Sequence, residues 1–256
     1  MHRPRLGCVK YLNARPLIQG WRGEVDFDHP SALCRKLARG ELDVALVSSI
    51  EYLRRPTYGI VNNVAIAAFG PVYSVIVAHK QELASISEVE VDPASETSVA
   101  LLRCLLAHYR LSCQLAPARS GADVASGNSA ARLLIGDQAI RFRRAHPEYK
   151  FWDLAEQWQK ITGLPLVFAL WLVRPEINDA SNTANHLRAL RDKNLRHIDR
   201  IVQAQTEFEP EFCLRYFTEY LRFEFGAQEK SGLREFYRRS VDCGIDVAPQ
   251  FELNLV

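Results

Sequence analysis

The chain has 256 residues, 48% of them hydrophobic and 24% charged, which is the composition of an ordinary soluble globular protein with one large domain or two lobes. Its 32 basic and 30 acidic residues leave a net charge of +2, and no basic stripe interleaved with aromatic residues is present. The composition therefore predicts no nucleic acid and no membrane surface as a partner.

The amino terminus does not have the pattern of a signal peptide. Residues 1–5 are basic, but the apolar stretch after them is short and reaches Asn13 without a small-residue cleavage site. No apolar run in the sequence approaches the roughly 20 residues needed to span a bilayer. We therefore expect a cytoplasmic protein.

The cysteines and histidines show no spacing typical of a metal site. The six cysteines lie far apart without a C-x-x-C pair, and the seven histidines form no H-x-x-x-H motif. Cys8, Cys34 and Cys104 fall on apolar faces of predicted elements. We expect buried, reduced thiols and no metal.

Strands and helices alternate along the first fifty residues. Pro16 suits a first helical turn, because its φ is already helical and it lacks an amide hydrogen that would go unpaired there. The sequence predicts strands at 5–12, 25–28 and 42–47 and helices that begin near Pro16, Ser31 and Ser49. This βαβαβ order predicts a parallel sheet with right-handed crossovers.

A second alternating unit follows, and after it a helical tail. Strands are predicted at 64–69, 72–78, 89–91, 115–116, 133–137 and 166–173, with a polar loop at 120–129. Helices are predicted at 98–109, 138–144, 152–160, 181–205, 210–222 and 232–242.

Two apolar strands, 72–78 and 166–173, bracket the middle unit. This arrangement is what two lobes joined by two crossing strands would produce. We predict a first lobe of residues 1–72 plus 171–256, which holds both termini and the helical tail, and a second, inserted lobe of residues 73–170. A ligand cleft between them could close by a hinge motion.

Polar residues mark four turns where a predicted strand meets a helix. The turns are Asn13-Ala14-Arg15, Ser48-Ser49, Ser95-Glu96-Thr97-Ser98 and Gly136-Asp137. Helix starts offer unpaired N–H groups and partial positive charge, and ligands of open α/β sheets bind at the carboxyl ends of the strands. Each side chain alone could simply cap its own helix. Together the turns predict a pocket for a small anion with more than one carboxylate.

Six ordered segments carry a resemblance to a known family. They are Tyr11-Leu12-Asn13-Ala14-Arg15-Pro16-Leu17, Gly40-Glu41-Leu42-Asp43-Val44-Ala45-Leu46, Gly70-Pro71-Val72-Tyr73-Ser74-Val75, Thr97-Ser98-Val99-Ala100-Leu101, Leu133-Leu134-Ile135-Gly136-Asp137 and Thr162-Gly163-Leu164-Pro165. This series resembles the chorismate dehydratase family of the futalosine route to menaquinone. The resemblance spans residues 5 to about 175, with a weaker match around Tyr216-Phe217 in the tail.

The resemblance implies an α/β, two-lobed fold of the type II periplasmic-binding-protein class, with two crossing strands and a helical carboxyl-terminal tail. It implies a hydro-lyase that dehydrates chorismate, a small dicarboxylate, to 3-[(1-carboxyvinyl)oxy]benzoate. The product is aromatic, so the elimination is strongly downhill and needs no cofactor. The protein then acts by positioning and electrostatics. The sequence does not decide between a monomer and a homodimer.

The resemblance also suggests roles for individual residues. Asn13 is expected to contact the reacting part of the substrate, since an amide donates and accepts without titrating. Asp137 is either a base or a helix cap; if it is a cap, the substrate's enolpyruvyl carboxylate could accept the proton. Arg15 either pairs with a carboxylate or lies on the surface. Hydroxyl donors to the carboxylates are expected at Ser49, Ser74, Thr97 and Ser98.

One departure from the family pattern leaves alternatives open. The family often has Ser-Arg-Thr-Ser where this chain has Ser95-Glu96-Thr97-Ser98, so Glu96 would repel a dianion if it faced the cleft. A binding protein for a small carboxylate, without chemistry, is therefore an alternative. The related dihydroxynaphthoate synthase of the same pathway is another, but it depends on a histidine base, and the four turns contain no histidine.

Overall fold

The computed structural model describes residues 4–92, 95–118 and 131–256, so the predicted loop at 120–129 lies outside the described residues. The strands are β1 (Leu6–Cys8), β2 (Val25–Phe27), β3 (Val44–Ser48), β4 (Gly59–Ala68), β5 (Val75–His79), β6 (Glu88–Val91), β7 (Gln114–Pro117), β8 (Ala131–Ile135), β9 (Lys150–Asp153) and β10 (Leu166–Val173).

Helices connect the strands and form most of the tail. They are α1 (Arg15–Ile18), α2 (Pro30–Ala38), α3 (Ser49–Arg54), α4 (Glu96–His108), α5 (Gly136–Ala145), α6 (Leu154–Thr162), α7 (Ala180–Arg196), α8 (Ile198–Gln203), α9 (Pro210–Arg215) and α10 (Ala227–Asp242). Two 3₁₀ turns, Leu12–Ala14 and Leu83–Ser85, and a π-helix, Tyr216–Tyr220, complete the described elements.

The described strands form two five-stranded sheets. The first sheet has the order β2-β1-β3-β10-β4, and the second has the order β7-β6-β8-β5-β9. In the first sheet β1 is parallel to β2 and β3, whereas β10 is antiparallel to both of its neighbours. In the second, β6 is parallel to β7 and β8, and β5 is antiparallel to β8 and β9. Each sheet is therefore mixed, with parallel crossovers and an antiparallel insertion.

The buried strands explain why the apolar runs were readable in the sequence. All five residues of β3 are buried, as expected of a strand covered on both faces. β10 crosses between β3 and β4, with Leu170 opposite Val47 on one side and Ala65 on the other. One apolar core cluster extends through both sheets, and a smaller one around Phe142 lies between β5, β8 and α5.

The chain passes between the sheets twice, after β4 and before β10. All of β10 pairs with the first sheet, beginning with Leu166 opposite Ala68. Because β10 belongs to the first sheet, the second passage lies at about residues 163–165, whereas the predicted boundary is at residue 170. The division into two lobes itself remains a prediction.

Several helix ends differ from the sequence prediction. Trp152 was expected in a helix but lies in β9, where it pairs with Val77, and α6 begins only after Asp153. Asp153 caps α6 by accepting hydrogen bonds from the Ala155 and Glu156 amides at 3.1 and 3.2 Å. The strand ends at the residue that caps the next helix. The spacing of its residues also fits a helical period, so the sequence alone does not separate the strand from the helix.

The tail is helical, as expected, but more segmented. The predicted helix 181–205 breaks at His197 into α7 and α8. The helix predicted at 210–222 becomes a π-helix at Tyr216 and ends at Tyr220. The last helix begins at Ala227, ahead of residue 232, and the Gly226 amide donates to Glu229 at 3.0 Å.

The thiols and the helices bear on two further expectations. All six cysteines are free, and Cys8, Cys34, Cys104 and Cys213 are buried. Within the described ranges, every helix is too short or too polar to cross a bilayer.

Candidate active site

A narrow pocket lies between the two sheets, and both contribute to its wall. Its volume is about 70 Å³. We call it the inter-sheet pocket; its polar lining residues are Tyr11, Asn13, Ser48, Ser74, Ser95, Thr97 and Ser98, with Gly136 beside them. Three of the four predicted turns thus supply lining residues from their strand ends or helix starts, and the fourth supplies Gly136. The carboxyl ends of the strands meet here, as the sequence predicted.

Asn13 lies in the 3₁₀ turn that links β1 to α1. The turn forms because Pro16, in the first turn of α1, ends the strand geometry, and the Ala14 amide donates to the Tyr11 carbonyl at 3.1 Å. The Asn13 side chain lines the pocket, and its Oδ1 is buried without a hydrogen-bond partner among the described residues. A buried amide oxygen without a donor is costly, so it identifies a place where a ligand group fits.

Ser95 repeats this feature on the opposite wall. It precedes α4, it is 4% exposed, and its Oγ is buried without a partner in the described part of the chain. Thr97 and Ser98, in the first turn of α4, line the same wall. The start of a 13-residue helix also presents free N–H groups and partial positive charge to the pocket.

Ser74 is backed by a buried tyrosine that the sequence analysis gave no role. The Tyr216 hydroxyl donates to Ser74 Oγ at 2.6 Å, and Tyr216 is fully buried. Burial raises the pKa of Tyr216, so the phenol stays protonated and remains the donor to Ser74.

The segment that carries Ser74 is held by Asp153. The Asp153 carboxylate accepts hydrogen bonds from the Val72 amide at 3.0 Å and the Tyr73 amide at 2.7 Å. Tyr73 has a φ of 68°, a left-handed conformation that needs such support in a residue with a side chain. Asp153 thereby fixes the passage from the first sheet to the second beside the pocket.

Thr97 of the pocket wall meets Ser49, which is fully buried and does not line the pocket. Thr97 Oγ1 accepts a hydrogen bond from the Ile50 amide at 3.2 Å and lies 3.4 Å from Ser49 Oγ. Ser49 Oγ itself donates to the Val167 carbonyl at 2.7 Å. The two hydroxyls therefore connect the start of α3 to the start of α4. The two hydroxyls are brought together, but in this conformation they contact each other and bind backbone groups instead of a ligand.

Asp137 does not line the inter-sheet pocket and does not cap its own helix. Its Oδ1 accepts a hydrogen bond from the Leu12 amide at 2.9 Å, which joins α5 to the turn that carries Asn13. Burial raises the pKa of Asp137, and the bond from Leu12 opposes this rise. The amide that Asp137 binds belongs to the turn after β1 of the first sheet and not to the start of α5.

Arg15 is not brought to the other predicted residues. It is exposed and lines a second, open cavity of about 550 Å³, together with Trp21, Phe27 and Glu207. Arg15 begins α1 two residues after Asn13, and the two side chains line different cavities. The geometry therefore favours the surface alternative for Arg15.

Glu96 points away from the inter-sheet pocket. Its carboxylate forms an ion pair with Arg54 of α3, and its side chain is 20% exposed. Glu96 does not appear in the pocket wall, although its neighbours Ser95 and Thr97 do. The acidic residue is therefore neutralised beside the pocket instead of facing an anion inside it.

The described wall of the pocket contains no Asp, Glu, Lys, Arg or His. Its one titratable side chain is Tyr11, whose phenol has a pKa raised by burial and by the carboxylates of Asp92 and Asp137. Within the described residues, no group of three or more His, Cys, Asp or Glu side chains is arranged to hold a metal ion. The arrangement can bind, orient and polarise a polar ligand through neutral donors and helix starts.

Comparisons with known sequences agree over most of the chain. The profile of the family described as "Menaquinone biosynthesis" matches residues 4–242. A protein of Thermus thermophilus named chorismate dehydratase is 29% identical over 270 residues, covering 96% of this chain and 97% of its own length. A Campylobacter jejuni protein of the same name is 29% identical over 161 residues, covering 62% of this chain and 58% of its own length.

Solved structures confirm the predicted fold class. A protein from Archaeoglobus fulgidus superposes with a TM-score of 0.72 at 18% identity, covering 94% of this chain and 97% of its own. The periplasmic aliphatic sulphonate binding protein of Escherichia coli gives 0.63 at 13% identity, covering 95% and 94%. A Candida albicans protein with the generic periplasmic binding protein fold gives 0.61 at 10% identity, covering 98% and 99%. At these identities the likeness shows the fold alone.

Proposed function

We propose that this chain, which belongs to the menaquinone biosynthesis family, dehydrates chorismate to 3-[(1-carboxyvinyl)oxy]benzoate in the inter-sheet pocket. The family match confirms the resemblance found in the ordered segments of the sequence. Two relatives named chorismate dehydratase, one of them aligned over almost its whole length, support this reaction.

One observation carries the proposal at the level of the site. Asn13 Oδ1 and Ser95 Oγ are buried in the same pocket, one from the side of each sheet, and neither has a partner among the described residues. Each such atom costs about 1–3 kcal/mol when it stays unpaired. A ligand with hydroxyl and carboxylate groups would satisfy both.

The reaction is the loss of water from neighbouring ring carbons. A ring C–H bond breaks and its proton passes to a base, the electron pair completes the aromatic ring, and the C–O bond breaks to release hydroxide, which takes up that proton from the base and leaves as water. Asn13 orients the reacting part of the substrate, and Ser74, backed by Tyr216, donates to a substrate oxygen. Ser95, Thr97 and Ser98, with the start of α4, hold a carboxylate.

The charge-free wall supports one choice of proton acceptor. No carboxylate or imidazole of the described residues lines the pocket, and Asp137 is occupied by the Leu12 amide outside it. This favours the substrate's own enolpyruvyl carboxylate as the base. The same wall disfavours the related naphthoate synthase, since His79, the buried histidine of β5, does not reach the pocket.

Binding requires the pocket to open. A volume of about 70 Å³ is far below the roughly 300 Å³ of a small ligand site. The Ser49 and Thr97 hydroxyls then separate and become free to donate to the carboxylates. We assign this opening, and the closing that follows once the substrate is bound, to the two predicted lobes, 1–72 plus 171–256 and 73–170.

The test is incubation of purified protein with chorismate in the presence of EDTA and without added cofactor, followed by liquid chromatography and mass spectrometry. We expect chorismate to lose one water and the product to show the aromatic ultraviolet absorption of a benzoate. Saturable binding of chorismate without product would overturn the proposal in favour of a binding protein. Monomer or homodimer, and the cytoplasm as location, remain predictions.

A further inference from the structure

The contact between Asp137 and Leu12 joins the two sides of the inter-sheet pocket next to Asn13. Asp137 lies in the first turn of α5, which packs on the second sheet, and Leu12 begins the 3₁₀ turn that follows β1 of the first sheet. The Leu12 amide donates to Asp137 Oδ1 at 2.9 Å. The amide of a residue that starts such a turn has no partner within the turn, so the carboxylate satisfies a group that would otherwise lack one.

A second contact of the same two segments lies beside it. Gly136 has a φ of 57° and lies against the ring of Tyr11; a Cβ added there would come within 3.1 to 3.2 Å of the ring carbons. Gly136 is held in turn by its amide, which donates to the Ser74 carbonyl at 2.8 Å. Tyr11 and Leu12 on one side thus meet Gly136 and Asp137 on the other, residue for residue.

We propose that Asp137 is a positioning residue, whose carboxylate binds the Leu12 amide when the pocket closes and thereby fixes Asn13 against the substrate. This inference rests on the proposed dehydration and deepens it. It assigns to Asp137 a role that differs from both sequence alternatives, since the side chain neither removes a proton nor caps α5.

The geometry supports the assignment over a catalytic base. Asp137 is absent from the described pocket wall, whereas Asn13, one residue after Leu12, is part of it. The carboxylate reaches the reaction only through the backbone of the 3₁₀ turn. A displacement of that turn by even about 1 Å would move Asn13 away from the reacting atoms, which is enough to slow an oriented reaction substantially.

Two substitutions separate a positioning role of Asp137 from that of a base and from a purely structural contact. Asp137→Asn keeps an oxygen that accepts from Leu12 but cannot act as a base, and Asp137→Ala removes both functions. We expect Asp137→Asn to keep kcat within about threefold of the unsubstituted protein and Asp137→Ala to lower it about 30-fold, with a smaller change in KM. Glu207→Gln is the control, since it removes the exposed ion pair of Glu207 with Arg141, a residue on the same helix as Asp137.

Either of two results would overturn the proposal. Equal loss of kcat in Asp137→Asn and Asp137→Ala, with both proteins folded, would make Asp137 a base. Unchanged kcat in Asp137→Ala, measured well below its unfolding temperature, would leave the contact a purely structural one. Glu207→Gln is expected to match the unsubstituted protein in kcat and in unfolding temperature.

Amide hydrogen exchange supplies a readout that needs no turnover. We expect the Leu12 amide to exchange at least about tenfold faster in Asp137→Ala than in the unsubstituted protein, and Asp137→Asn to retain the protection. If the unsubstituted protein made no product while this pattern held, the proposed reaction would fail but the contact would stand. If product formed and Leu12 exchanged equally in all variants, the positioning role alone would fail.

Discussion

Two cavities of the described structure differ in volume and in the chemistry of their walls. The open cavity beside Arg15 holds about 550 Å³, against about 70 Å³ for the inter-sheet pocket. The larger one has a charged and aromatic wall, with Arg15, Glu207, Trp21 and Phe27. The smaller one has a neutral wall with two buried polar atoms that lack partners among the described residues, Asn13 Oδ1 and Ser95 Oγ.

In this chain the cavity of larger volume and charge is not the one whose wall contains Asn13 and Ser95 with their unpartnered oxygens. In the open cavity Glu207 already pairs with Arg141. Trp21 Nε1 is also buried there without a partner in the described chain, but Gly23 covers it, since a Cβ built on Gly23 would lie 2.8 Å from that nitrogen. In the inter-sheet pocket the unpartnered atoms belong to two residues of the wall, Asn13 and Ser95.

The largest expected effect is that of removing the Asn13 amide. We expect Asn13→Ala to lower kcat at least about 100-fold, because the group that orients the reacting atoms is lost. The unfolding temperature should stay the same or rise slightly, since the substitution removes a buried, unpaired acceptor. Steady-state kinetics and thermal unfolding measure the two. Equal losses of activity and stability would reassign Asn13 to a structural role.

The next largest effect is expected at the hydroxyl of Tyr216, which lies behind the pocket wall. Tyr216→Phe removes the donor to Ser74 Oγ while keeping the ring in the core, so we expect kcat to fall about tenfold. Tyr220→Phe is a matched control in the same π-helix, since its hydroxyl accepts a hydrogen bond from the exposed Arg215, away from the pocket. A Tyr216→Phe protein as active as Tyr220→Phe would show that Ser74 needs no support.

A smaller effect is expected at Glu96, where this chain departs from its family. Glu96 pairs with Arg54 outside the pocket, so Glu96→Gln should change KM for chorismate by no more than about threefold. Steady-state kinetics over a range of chorismate concentrations measure the change. A decrease in KM of about tenfold or more would mean that the carboxylate repels the substrate dianion from within the pocket.

The smallest effect is expected at Arg15. It tests which of the two cavities binds the substrate. Arg15→Ala alters the open cavity alone, so kcat and KM should both stay within about twofold in the same kinetic assay. An increase in KM of about tenfold or more would place a substrate carboxylate on Arg15 and move the site to the larger cavity.

Much of the fold was predictable because apolar runs and helix starts are local signals. The continuous apolar run of β3 and the turn around Asn13 were both located from the sequence, and so was the α/β class. The strand at Trp152 was missed because its residues also fit a helical period. The break at His197 was missed because the sequence there carries no Gly or Pro.

The site was predictable only where a side chain follows directly from its turn. Asn13, Thr97 and Ser98 line the pocket because their positions at strand ends and helix starts fix their direction. Tyr216 lies 142 residues from Ser74 along the chain, and that pairing depends on how the tail packs. Asp137 and Arg15 have the right position in sequence, but Asp137 binds the Leu12 amide and Arg15 lines the other cavity.

A crystal structure with 3-[(1-carboxyvinyl)oxy]benzoate bound tests the central claim most directly. We expect the product between the sheets, with Ser95 Oγ within hydrogen-bond distance of a product carboxylate and Asn13 Oδ1 accepting a hydrogen bond from a bound water. Product bound instead beside Arg15, with the inter-sheet pocket still closed, would contradict the account.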